Sequence, residues 1–116
     1  MSKFDFNKVI LGGKLVTDVY MMQTMGGLPI CDFSIAVNRK GQDGTPKTDI
    51  IRCTARKKTA ELIYKNFTKG SSICIVGQLD TQQTFEDSFG IVRYLCEVVV
   101  DEVVPVDDKI TRKAHK

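Results

Sequence analysis

A chain of 116 residues gives one domain with one hydrophobic core, and 42% hydrophobic against 27% charged residues describes a soluble globular protein. No apolar run reaches the roughly 20 residues that cross a bilayer, and Met1-Ser2-Lys3-Phe4-Asp5-Phe6 has no secretory apolar core, so a cytoplasmic protein without membrane contact is expected. The net charge of +3 is unevenly placed: residues 36–58 hold Arg39, Lys40, Lys47, Arg52, Arg56, Lys57 and Lys58 against Asp43 and Asp49, a field suited to a polyanion or, more blandly, to solvent.

The first strand is expected over residues 7–15, an apolar run cut by Gly12-Gly13, where a bend lets one strand serve two sides of a barrel. Residues 16–29, with Met21, Met22 and Met25, read as a loop whose methionines fill gaps or form a soft contact surface. Over residues 30–38 the apolar Cys31, Phe33, Ile35 and Val37 alternate with Asp32, Ser34, Ala36 and Asn38, which predicts a strand buried on one face. The Gly, Asp-Gly and Pro of residues 39–47 mark a long hairpin connection into a third strand over 48–55.

Between residues 59 and 67 the period changes. Ala60, Ile63, Tyr64 and Phe67 form a helical stripe, with Thr59 as its N-cap and Lys65 and Lys69 near its C-terminal end. Gly70 is suited to close that helix and Ile73, Ile75 and Val76 to open a core strand, in which Gly77 signals a bulge or a close backbone approach. That strand continues polar to Phe85, turns through residues 86–90, and pairs with a fifth over 91–104. Three strands, one short helix and two strands give an all-β class with the element order of an OB-fold, a five-stranded Greek-key barrel over residues 7–104. Residues 1–6 are then an N-terminal extension and 105–116 a basic tail.

The four cysteines, Cys31, Cys53, Cys74 and Cys96, have no close-spaced pair, so a metal site is not expected, and their strand positions read as reduced core thiols. There is no nucleophile elbow, no phosphate-binding glycine motif and no histidine inside the fold. An enzyme is therefore rejected, and no cofactor is implied.

The chain resembles bacterial single-stranded-DNA-binding proteins from about Asn7 to Val104. The resemblance is carried by Asn7-Lys8-Val9-Ile10-Leu11, Phe33-Ser34-Ile35-Ala36-Val37-Asn38-Arg39, Thr48-Asp49, Ala60-Glu61-Leu62, Lys69-Gly70-Ser71, Gly77-Gln78-Leu79, Arg93-Tyr94 and Glu97-Val98-Val99-Val100-Asp101-Glu102-Val103. It implies an OB-fold, a homotetramer, and binding of single-stranded DNA with little sequence preference in replication, recombination and repair.

Single strands are held by a basic groove and by rings on which bases stack. Lys8, Lys14, Arg39, Lys40, Lys47, Arg52, Arg56, Lys58 and Arg93 are the candidate phosphate contacts, with Arg52 and Arg93 placed to face the groove and Lys57 and Lys58 equally readable as solvated charges. The places where the family commonly carries rings hold approximately Gly41, Ile50, Arg56 and Thr84-Phe85, and the chain has no tryptophan; Phe85 is the clear stacking candidate. Arg56 is a partial substitute through its guanidinium plane.

The other aromatics divide. Tyr20 reads either as a base contact or as packing, Phe89 as a stacking ring or a subunit contact, and Phe4 and Phe6 as a seal on the barrel or a dimer contact. Phe33, Tyr64, Phe67 and Tyr94 are assigned to the core. Residues 106–116 carry four Lys/Arg against two Asp, unlike the acidic tail through which relatives recruit proteins, so recruitment of that kind is not expected. The alternative reading is an oligomeric OB-fold module that docks a protein partner, its affinity for nucleic acid weakened by the missing rings.

Overall fold

In a computed structural model that describes residues 3–104, the chain forms β1 (Val9–Leu15), β2 (Tyr20–Gln23), β3 (Pro29–Lys40), β4 (Pro46–Arg56), α1 (Lys57–Asn66), β5 (Ser72–Glu86) and β6 (Val92–Val104). The sheet runs β1-β5-β6-β4-β3-β2, and β1 also pairs with β3 through Lys14↔Ala36 and Leu15↔Ile35. Five strands thus close into a ring, with β2 hanging on the edge of β3. All neighbours are antiparallel except β4 and β6, which run parallel at Cys53↔Val98 and Thr54↔Val99. With α1 between β4 and β5, this is the expected OB-fold.

The glycines make the closure possible. A Cβ on Gly13 would overlap the Ala36 carbonyl, and one on Gly77 the Val99 carbonyl, so no larger residue fits where β1 meets β3 or where β5 crosses β6. The β5–β6 register shifts between Val76 and Gly77, the bulge that bends the strand there.

Inside the ring, Leu15, Phe33, Ile35, Ile75 and Val98 are buried, and α1 adds Ala60 and Ile63 beneath β3, β4 and β6. Cys31 and Cys53 are core thiols as expected, pushed up to about 11 and about 12 chiefly by burial. Cys74 is half-buried and Cys96 exposed, so the core assignment fails for Cys96.

Other expectations are corrected. Residues 16–29 contain the strand β2, held to β3 by Tyr20↔Asp32 through Gln23↔Pro29. Met21 packs on the core, whereas Met25 is exposed. The helix begins two residues before Thr59, with Arg56 at its N-cap and Lys57 at φ 57; Thr59 instead donates its hydroxyl to the Asp101 carbonyl at 3.5 Å. Phe67 ends α1 in an extended conformation, and Gly70, at φ 95, turns the chain toward β5 while its N–H donates to the Leu15 carbonyl at 2.8 Å. Phe33 and Phe67 are buried as expected, but Tyr64 and Tyr94 are 54% and 68% exposed. Tyr94 lies where β5 and β6 run on past the ring, so its strand alternation has no core beneath it. Phe4 and Phe6 are exposed and do not seal the ring. The basic tail, residues 105–116, lies outside the described residues.

Candidate nucleic-acid interface

Strand alternation sorts the candidate residues into faces. On β4, Ile51, Cys53 and Ala55 point into the ring, so Ile50, Arg52 and Arg56 point out, and the β3–β4 register sets Arg52 opposite Ser34, Ile50 opposite Ala36 and Arg56 opposite Ile30. Lys14 joins this outer face because it pairs with Ala36, which in turn pairs with Ile50. From the far edge, β2 adds Tyr20 opposite Asp32 and Met22 opposite Ile30. One continuous surface carries Lys14, Arg52 and Arg56 with an exposed tyrosine ring beside them.

This face also carries carboxylates. Thr17, Tyr20, Asp32, Ser34, Arg52 and Glu97 line a cleft of about 100 Å³. Partial burial holds the Glu97 carboxyl above its ordinary range; Arg52 and Arg56 oppose the shift, while Asp32 and Asp80 add to it. Those two arginines and three carboxylates therefore share one electrostatic neighbourhood.

The hairpins leave the ring in two directions. Beyond the ring β6 keeps its alternation, so Arg93 and Leu95 lie on the same side as Glu97, and Phe85 stands directly opposite Arg93. Phe85 is 51% exposed. Arg93 donates from Nε to Asp87 Oδ2 at 3.0 Å, while Asp87 Oδ1 accepts the backbone N–H groups of Phe89 and Ile91. The bond from Ile91 and the Arg93 guanidinium hold the Asp87 carboxyl below its ordinary range.

On the β3–β4 hairpin, Lys40 continues the outer face, but Arg39 and Lys47 pair with each other on the opposite side. There Arg39 Nε donates to Asp49 Oδ2 at 2.6 Å, a bond that holds the guanidinium proton still more firmly. Lys58 is exposed on α1, off the sheet, and Lys8 precedes β1 next to Asn7, whose amide clamps the Leu79 backbone with two bonds of 2.8 Å. The geometry thus brings together Lys14, Arg52 and Arg56, sets Phe85 and Arg93 further along the same side of β6, and separates Arg39, Lys47, Lys58 and Lys8. Asp32 and Glu97 were absent from the sequence-based set; their alternation with buried residues was the available signal.

The fold and this surface define an OB-fold whose outer sheet face combines arginines with an aromatic ring. The profile of the single-strand binding protein family matches residues 6–106, and the chain belongs to that family. It is 38% identical over 84% of its length to a single-stranded DNA-binding protein of Caldanaerobacter subterraneus subsp. tengcongensis, and 35% identical over 95% to one of Lactiplantibacillus plantarum. Single-stranded DNA-binding protein B of Bacillus subtilis is 34% identical over 94% of the chain and 97% of its own length. The chain spans 65% and 56% of the first two relatives.

Proposed function

We propose that this chain is a non-enzymatic binder of single-stranded DNA with little sequence preference, serving replication, recombination or repair as a homotetramer. The observation that carries the reading is the outer face that Lys14, Arg52 and Arg56 share, continuous with the β5–β6 ribbon that bears Phe85. Arginines meet phosphates and rings meet bases, and both act without regard to sequence. Assembly of subunits gives a use to apolar side chains that one subunit leaves exposed, such as Ile10, Val92 and Phe89.

The protein-docking alternative draws support from Arg39 and Arg93 being occupied by internal carboxylates and from Ile50 and Thr84 standing where the resemblance leads one to expect rings. Fluorescence anisotropy of labelled oligo(dT), with duplex of equal length as competitor, separates the two. Preference for the single strand, with log affinity falling against log salt by about 0.7 per phosphate contact, is expected. No binding at low salt would sink the single-strand reading and favour the docking module.

A further inference from the structure

The rings of this face are fewer than the task of holding bases calls for, and β2 supplies one outside the sequence-based site. Tyr20 opens β2 and is 60% exposed, between Val19 and Met21, which pack against the core. Its backbone is fixed. The Thr17 hydroxyl accepts the Ser34 N–H at 3.0 Å and the Val16 N–H donates to the Ser34 carbonyl at 2.9 Å, so the segment leading into β2 is tied to β3. The ring is therefore presented from a sheet rather than from a free loop, and little ordering is left for binding.

Its neighbours define what it meets. The row Tyr20–Asp32–Thr54 lies between the row of Ser34 and Arg52 and the row of Met22, Ile30 and Arg56. The two arginines thus stand across β3 from the aromatic ring, in the rows on either side of its own. The cleft it borders holds Asp32 and Glu97, which repel phosphate, while Arg52 lines the same cleft. A strand crossing here is sorted: phosphates go to the arginines, and a base goes over the ring.

Resting on the single-strand reading above, we propose that Tyr20 is a base-stacking residue of this interface, taking a nucleobase of the strand whose phosphates meet Arg52 and Arg56. The ring, not the hydroxyl, does the binding.

The chain has no tryptophan and three tyrosines, so its intrinsic fluorescence reports directly on tyrosine stacking. Oligo(dT) is expected to quench the unmodified protein, and Tyr20→Phe is expected to lose a large part of that quench while holding the oligonucleotide by the same ring. In anisotropy at fixed salt, Tyr20→Ala and Tyr20→Thr should bind about 5- to 150-fold more weakly, the value of one stacked base. Their salt slope should match the parent, because no phosphate contact is lost, and Thr, a good strand residue, guards against unfolding of β2. Parent-like affinity in both variants, or a loss accompanied by a changed slope, overturns the assignment to Tyr20 and leaves the single-strand reading standing. Failure of the unmodified protein to bind oligo(dT) at low salt overturns both.

Discussion

The outer face of β3–β4 and the β5–β6 ribbon each pair arginine with an aromatic ring, yet they hold their charge differently. Arg52 and Arg56 form no ion pair among the described residues and stand near carboxylates, of which Glu97 is held above its ordinary range; Arg93 is bonded to Asp87 within a tight turn. Positive charge in a sequence is not free positive charge. On the sheet face a phosphate would replace solvent, whereas on the ribbon it must first displace a carboxylate that the backbone N–H groups of Phe89 and Ile91 hold in place. On the proposed single-strand reading, the sheet face would therefore offer the phosphate contacts, and the ribbon mainly its ring.

The largest effect should come from replacing Arg52 and Arg56 together with Ala. Two charge-assisted contacts at about 1.5 kcal/mol each correspond to roughly 150-fold in affinity, and the salt slope should fall by about 1.4. The matching pair Arg39→Ala with Arg93→Ala should lower the slope by less; an equal loss would erase the difference between the two regions. Phe85→Ala is next, at about 1–3 kcal/mol for one stack with an unchanged melting temperature, because the ring is half exposed. Unchanged affinity would take the ribbon out of the interface.

Much of this was legible in the sequence because the ring divides side chains cleanly. Cys31, Phe33 and Ile35 alternate with polar neighbours, and their burial follows. The same alternation misled at Tyr94 and Cys96, since a strand that outruns its barrel keeps its period after the core has ended. The strand β2 escaped because four residues without β-branched side chains give no periodic signal, so Tyr20 was read only as a base contact or packing within a loop. The pairing of Arg39 with Asp49 and of Arg93 with Asp87 depends on register and turn geometry, which composition does not contain. Gly77 was readable as a bulge or close backbone approach, whereas Gly13, read as a bend, stands where β1 meets β3 too closely for a Cβ.

The pH tests the sheet face. Glu97 has a folded pKa above its ordinary value, so the protonated form favours the fold: its contribution is fully present below the unfolded pKa and is lost as pH rises through the folded one. Its negative charge also opposes phosphates near Arg52. Affinity for oligo(dT) should accordingly rise as pH falls through that raised value, and Glu97→Gln should bind more tightly at neutral pH with a flatter profile. An identical profile in the variant would separate Glu97 from the DNA path.

The smallest expected effect tests the ribbon's lock. In Asp87→Asn the retained Oδ1 can still accept from Phe89 and Ile91, so the turn is kept while the charge that holds Arg93 is removed. Arg93, 56% exposed and directly across from Phe85, is then free to meet a phosphate beside the stacked base. The salt slope should steepen by up to about 0.7, one added contact, with affinity gained at low salt. The internal pair weakens as pH falls through the depressed pKa of Asp87, so the unmodified protein should approach the variant's slope in acid. A slope that stays put in the variant would mean that Arg93 faces solvent even when released, and that the ribbon contributes its ring alone.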